Sequence, residues 1–174
     1  MSANLKAKLR KVSAFMLDVD GVLTDGTVLT LPDGEQIRRM NIKDGYALQH
    51  AVKKGYPIII ISGGTSESVR KRLNGLGITE VNLACKNKVA VFKEVKAKHQ
   101  LEDEGILYMG DDIPDYKVMQ EVGFAACPKD AAEEIKSIAD YISPKNGGEG
   151  CVRDLIEQVL KLKGDWFDDD AHEW

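Results

Sequence analysis

Phe15-Met16-Leu17-Asp18-Val19-Asp20-Gly21-Val22-Leu23-Thr24-Asp25-Gly26 is the stretch whose reading decides the fold. It opens as an apolar run and ends in acids and glycines. A short apolar run bounded by turn residues reads as a buried strand. The acids then fall at the strand's carboxyl end, where open α/β sheets bind ligands. Asp18 and Asp20 are two apart, so a strand continuing through them would point both to one face. Close carboxylates repel, and ionising both is costly without a cation or a shared proton. Taken alone, Asp-X-Asp reads more readily as a solvated acidic turn than as a site. A second acidic cluster downstream changes that balance.

Outward from this stretch, strands and helices alternate. A lead-in over residues 1–12 places Leu5, Leu9 and Val12 at helical spacing. After the acidic loop, Thr27–Leu31 and Glu35–Met40 flank Pro32-Asp33-Gly34, the pattern of a β-hairpin insert over about 27–40. Tyr46–Lys54 reads as a helix stopped by Gly55. Ile58-Ile59-Ile60-Ile61 suits a central parallel strand buried on both faces, and it ends in Ser62-Gly63-Gly64. Further on come a helix over about 66–73, a strand at 81–83, a helix at 89–99 with Lys88 at its front edge, and a strand at 106–109. That strand ends in Gly110-Asp111-Asp112-Ile113-Pro114-Asp115. A helix at 117–122, a strand at 124–126, a helix at 131–138, a strand at 141–142 and a helix at 151–161 follow. The pattern predicts one α/β domain over 1–174, a doubly wound and mostly parallel sheet with helices on both faces. The acidic stretch from Gly164 onward reads as a frayed tail.

Bulk properties exclude several functions. The chain has 174 residues, 43% hydrophobic and 30% charged, as in an ordinary globular protein. A net charge of −4 without a basic stripe gives no footprint for nucleic acid. No apolar run is long enough for a membrane helix. The basic N-terminus lacks the apolar core of a signal peptide, so the expected location is cytoplasmic. Cys85, Cys127 and Cys151 are widely spaced and odd in number, matching neither a disulfide framework nor a zinc site.

Three strand ends thus share one edge: Asp18 and Asp20, then Ser62, then Asp111, Asp112 and Asp115. Such an acidic edge suits a hard cation such as Mg²⁺, which prefers oxygen ligands. The cation would offset carboxylate repulsion and attract an anion. Ser62, with the N–H groups of Gly63 and Gly64, can hydrogen-bond phosphate oxygens. Lys88 opens a helix, an unfavourable place for a cation unless it faces an anion.

These motifs, in this order, resemble the haloacid dehalogenase superfamily of phosphatases. Asp18-Val-Asp-Gly-Val-Leu-Thr-Asp-Gly26 and Gly147-Gly148-Glu149-Gly150 resemble its small capless branch, whose substrates are sugar-acid phosphates. The resemblance implies a Rossmann-like core without a cap domain. It makes Asp18 the nucleophile that forms an aspartyl-phosphate, and Asp20 the general acid and then base. It gives Mg²⁺ to Asp18, the backbone carbonyl of Asp20, and Asp111, with Asp112 and Asp115 supporting that shell. Ser62, Gly63 and Lys88 would bind the phosphoryl group, and Arg72 would face the substrate carboxylate. Position 64, a substrate contact in this branch, is here glycine, which matches neither the Glu of the nine-carbon nor the Arg of the eight-carbon enzymes.

The implied substrate is 3-deoxy-D-manno-octulosonate 8-phosphate, with a nine-carbon sialic-type sugar-acid phosphate as the alternative. The branch also implies a homotetramer built through the hairpin, with each site completed by a neighbour. The run Gly147–Gly150 is expected to close such a site, and removal of Lys145 onward is expected to leave a folded protein. A receiver-like phospho-accepting domain is the alternative of another class; it places its phospho-acceptor at the end of a later strand, where this chain has Ser62.

Overall fold

Alternation along the buried strands sets the layers. The computed structural model describes residues 3–172. In chain order its elements are α1 (Ala3–Lys11), β1 (Ala14–Leu17), β2 (Leu29–Thr30), β3 (Gln36–Ile37), α2 (Ile42–Lys53) and β4 (Ile58–Ile61). Then come α3 (Glu67–Asn74), β5 (Glu80–Asn82), α4 (Lys88–Lys98), β6 (Ile106–Met109) and α5 (Tyr116–Met119). The chain finishes with β7 (Phe124–Cys127), α6 (Glu133–Ile138), β8 (Tyr141–Ile142) and α7 (Cys151–Lys163). Six strands form one sheet in the order β5-β4-β1-β6-β7-β8, and every pairing in it is parallel. Parallel pairing with helices on both faces is the α/β architecture expected from the alternating pattern.

Residues of opposite parity reach opposite faces. Phe15, Leu17, Ile58, Ile60, Leu107 and Met109 pack with α2, α3 and α7. Met16, Ile59, Ile61, Ile106 and Tyr108 pack with Phe92 and Val95 of α4, Val118 of α5 and Ile135 of α6. The isoleucine run is buried throughout, as a central strand requires. β1 lies between β4 and β6, with Phe15 opposite both Ile58 and Leu107. The chain therefore winds one way from β1 through β4 and β5, and the other way through β6, β7 and β8. That reversal opens a crevice at the carboxyl end of β1, where α/β sheets place ligands.

Several boundaries differ from the expectation. α2 starts at Ile42 rather than Tyr46, because the Asn41 side chain accepts the N–H groups of Lys43 and Asp44 and caps the helix. Asp44-Gly45 thus belongs to its first turn. A Cβ on Gly45 would meet Arg72 Nη2 at 2.5 Å, so glycine here lets α3 approach. Pro114 sits in the first turn of a short 3-10 segment, Ile113–Asp115, and α5 after it is only four residues long. The insert does form an antiparallel hairpin, Leu29 opposite Ile37, but both strands are exposed and only two residues long.

The described part of the tail, up to residue 172, is docked rather than frayed, and the last two residues lie outside the described residues. Trp166 is buried, edge-on to both Tyr46 and His50, and the Arg153 guanidinium lies 5.1 Å over its ring. His50 Nε2 donates to the Asp165 carbonyl at 2.8 Å, Tyr56 Oη to Asp165 Oδ2 at 2.7 Å, and Tyr46 Oη to the Ala171 carbonyl at 2.6 Å. Aromatic burial and paired polar groups outweigh the charge of the segment. α7 buries Cys151, Val152, Leu155, Ile156, Val159 and Leu160 against the sheet and α2. Removing Lys145 onward would strip that layer from the core, so the packing of α7 argues against a folded truncated chain.

Candidate active site

β1 ends at Leu17, and the acids leave on a turn rather than on a continuing strand. The Asp18 N–H still pairs with the Met109 carbonyl at 3.0 Å. The Val19 carbonyl then accepts from Val22, Leu23 and Thr24, which curls the chain back. Buried Thr24 Oγ1 accepts the N–H groups of Gly21 and Gly26, and Gly21 takes a φ of +79°. Only glycine adopts that backbone readily. Asp18 and Asp20 line the same pocket because of this turn, not through strand alternation.

Lys88 organises the acids. Its Nζ lies 2.7 Å from Asp18 Oδ2 and 2.7 Å from Asp115 Oδ1. Asp18 Oδ1 accepts the N–H of Val19 at 2.6 Å. Asp115 is fully buried; its Oδ1 also accepts from Tyr108 Oη at 2.5 Å, and its Oδ2 from the Asp111 N–H at 3.2 Å. Burial pulls the Lys88 ammonium down, but Asp18 and Asp115 outweigh it and raise it. Burial first, then the Asp115 charge, push the Asp18 carboxyl up against the pull of Lys88. Asp111 is pushed up to about 7 by burial and then by Asp18, Asp115 and Asp112.

The donor set fits a hard cation. Carboxylate oxygens of Asp18, Asp111 and Asp115 lie within 4.8 Å of one another. Oxygen-only donors suit Mg²⁺, and the part of the upward push on Asp111 that Asp18, Asp115 and Asp112 add to burial is repulsion that a cation would relieve. Asp115 is fully buried beneath Lys88, Tyr108 and the Asp111 backbone, whereas Asp18 and Asp111 line the cleft and are the carboxylates of this set that face it. Asp112 is exposed and its Oδ1 accepts the Ile113 N–H at 2.8 Å, starting the 3-10 segment. A Cβ on Gly21 would fall 2.0 Å from Asp111 Oδ2, so the acidic loop and Asp111 are in close contact.

A cleft of ≈ 470 Å³ joins Asp18, Asp20, Ser62, Gly63, Gly64, Lys88, Asp111 and Asp112, together with Cys85 and Lys86. Ser62 is buried, and its Oγ accepts the Gly64 N–H at 3.1 Å, so its own O–H is left to donate into the cleft. The Gly64 N–H is therefore spent inside the loop rather than offered to an anion. Arg72 is not brought to this cleft: it lines a small crevice with Asp44, Gly45 and Leu76.

Arg38, Tyr108, Cys85 and Lys86 were not picked out from the sequence. Arg38, from the end of the hairpin, grips Asp20 with Nε on Oδ1 at 2.6 Å and Nη2 on Oδ2 at 3.1 Å. Nothing in its spacing reveals this, because the contact depends on how the hairpin folds back. Tyr108 had a local signal: it belongs to the strand that ends in Gly110-Asp111, and its parity puts it on the α4 and α5 face, where Asp115 lies.

A doubly wound sheet with acids at its central carboxyl edge, a lysine between them and a serine opposite defines a phosphate-handling hydrolase. Residues 74–155 match the model of the haloacid dehalogenase-like hydrolase family. The chain belongs to that family. It is 34% identical over 164 residues to the 3-deoxy-D-manno-octulosonate 8-phosphate phosphatase of Escherichia coli K12, which covers 94% of this chain and 87% of that protein. The crystal structure of the phosphatase of that name from Yersinia pestis superposes with a TM-score of 0.92 at 28% identity, covering 95% of this chain and 89% of that one. The Moraxella catarrhalis enzyme of the same name, in complex with magnesium, phosphate and KDO, gives 0.89 at 31% identity, covering 93% of each chain.

Proposed function

We propose that this chain is a Mg²⁺-dependent phosphomonoesterase that hydrolyses 3-deoxy-D-manno-octulosonate 8-phosphate. The observation that carries the proposal is Lys88 bridging Asp18 and Asp115 beside Asp111 and Ser62. The similar proteins named above support the eight-carbon substrate over a nine-carbon one, and an enzyme over a receiver. Asp18 and Asp111, with the Asp20 carbonyl, are the groups for the ion. Bound there, Mg²⁺ would neutralise charge on the phosphoryl oxygens.

The residues then divide the work. An Asp18 oxygen attacks phosphorus and the ester P–O bond breaks, leaving the phosphoryl group on Asp18. Asp20 gives its proton to the departing alkoxide. In the second step water attacks phosphorus, Asp20 takes its proton, and the bond to Asp18 breaks, releasing phosphate and restoring the carboxylate. Splitting hydrolysis this way replaces one difficult displacement by two easier ones. Lys88 aligns Asp18, and the Ser62 hydroxyl and Lys88 hold the phosphoryl oxygens. Asp115 anchors Lys88 from below.

Self-association belongs to this proposal. Val28, Leu29 and Ile37 of the hairpin and neighbouring Ile42 are exposed apolar side chains, which favours burial against other copies. Arg72 lies away from its own chain's acidic cleft, in the crevice beside Asp44 and Gly45. Light scattering checks the tetramer. No helix among the described residues is long and apolar enough to cross a membrane. A cytoplasmic location is supported by three free thiols, Cys85, Cys127 and Cys151.

Phosphate release measured side by side on the eight- and nine-carbon sugar-acid phosphates tests the proposal. Preference for the eight-carbon ester, lost in excess chelator and restored by Mg²⁺, is the expected result. Turnover of neither ester would refute it.

A further inference from the structure

The leaving group must depart past Asp20, because an acid has to lie within hydrogen-bond reach of the oxygen it protonates. The side chain met there is Arg38. The Arg38 side chain is almost fully covered, at 7% exposure, whereas the Asp20 side chain keeps 39%. Nε and Nη2 hold Asp20, and Nη1 donates to the Gln36 carbonyl at 3.2 Å. Of the five N–H donors of a guanidinium, two remain.

Arg38 lines one cavity and, through Asp20, borders another. The second is the acidic cleft. The first, a cleft of ≈ 370 Å³, runs between the hairpin and the start of α3, lined by Arg38 with Gln36, Thr65, Ser66 and Ser68 among others. Ser66 Oγ and Ser68 Oγ lie 2.8 Å apart. That lining offers hydroxyl and amide groups and the carboxylates of Glu35 and Glu67, all partners for the hydroxyls of a polyhydroxylated group. Position 64 borders the passage. A Cβ on Gly64 would lie 3.3 Å from Asp20 Oδ2, 3.4 Å from Arg38 Nη2 and 3.4 Å from Ser62 Oγ. Any side chain at 64 would crowd the Arg38–Asp20 pair, so glycine leaves arginine as the basic group beside the leaving oxygen.

We propose that Arg38 is the specificity-determining residue on the leaving-group side: it fixes the Asp20 carboxylate, and its remaining donors bind the hydroxyl-rich leaving group as that group enters the hairpin cleft. The proposal rests on the reading of Asp20 as the group that faces the ester oxygen. It assigns the hairpin of each chain a role in its own site.

The test compares Arg38→Ala and Arg38→Lys with wild type on three substrates: 3-deoxy-D-manno-octulosonate 8-phosphate, sorbitol 6-phosphate and 4-nitrophenyl phosphate. Thermal melting confirms that each variant is folded. Charged hydrogen bonds of this kind are worth roughly 10- to 100-fold. Arg38→Ala should therefore lose at least about tenfold more kcat/KM on the two polyol esters than on the aryl ester, with KM rising. Arg38→Lys should recover part of the difference. Equal losses on all three substrates, or no extra loss on the polyol esters, would overturn the proposal. A wild-type enzyme active on sorbitol 6-phosphate but not on the sugar-acid ester would refute the substrate assignment alone, and Arg38 would still be judged on the sorbitol ester. Wild type inactive on both polyol esters would overturn both.

Discussion

A Cβ on Gly147 would lie 1.9 Å from the carbonyl oxygen of Gly21. Backbone touches backbone there: Gly148 donates to the Val22 carbonyl at 2.9 Å, Gly147 to Asp130 Oδ1 at 2.9 Å, and the Asn41 side chain to the Gly148 carbonyl at 3.2 Å. The glycines before α7 thus brace their own chain's acidic loop. Gly147→Ala should push that loop away, cost about 1–3 kcal/mol and lower turnover on every phosphate ester. Gly164→Ala is the comparison: φ is +84° but no atom lies within 4 Å, so it should cost only about 1 kcal/mol and leave kcat unchanged. Melting curves and assays on both variants check this.

Asp115 should matter for both stability and turnover. It is buried, and it holds Lys88, Tyr108 and the Asp111 N–H together. Asp115→Ala leaves a buried ammonium with one anion and should cost about 3–5 kcal/mol. Denaturant unfolding measures that cost, and kcat should fall with it because Lys88 is no longer held in line with Asp18.

The docked tail should be part of the fold. Trp166→Ala removes the ring shared by Tyr46, His50 and Arg153, and should cost about 3 kcal/mol or more. A chain ending before Lys145 should not fold at all. A cooperative melt of that truncated chain would contradict the packing of α7.

Asp44 gives the protein a pH-dependent stability. Its Oδ1 accepts the Arg153 N–H at 2.7 Å at the start of α7, while its Oδ2 is buried without a partner. Burial pushes its carboxyl up to about 6, against the N–H bonds of Arg153 and Gly150. A carboxyl raised by folding favours the folded state below its unfolded value near 4. That contribution is lost as pH climbs through about 6. At about 1.4 kcal/mol per pKa unit the loss is on the order of 3 kcal/mol. Asp44→Asn should flatten the fall in stability between pH 4 and 7 (roughly the interval between the two pKa values); an unchanged slope would assign it to other groups.

Local chemistry made much of this readable in advance. Four isoleucines ending in Ser62 announced a central strand, and the acid–glycine punctuation after Leu17 and Met109 marked the carboxyl edge. Contacts between distant segments were not readable. Arg38 reaches Asp20 only through the hairpin's return path. Trp166 docks because α2 offers Tyr46 and His50 on one face, a partnership hidden behind the acids around it. Gly147 and Gly148 looked like ligand-facing glycines, but the neighbour that demands their small size is the backbone of Gly21 and Thr24. Strand alternation also misplaced the reason that Asp18 and Asp20 share a pocket, because the chain turns at once after β1.

Trapping the phosphoryl group is the most direct test of the central claim. The protein would be mixed with Mg²⁺ and 3-deoxy-D-manno-octulosonate 8-phosphate, quenched in acid within a turnover, digested, and read by mass spectrometry. The expected result is one phosphoryl increment on the peptide at Asp18, transient in wild type, absent in Asp18→Asn, and accumulating in Asp20→Asn when the ester supplied is 4-nitrophenyl phosphate, whose leaving group departs without a proton. Phosphate release at the wild-type rate from folded Asp18→Asn, with no increment in any variant, would contradict the account.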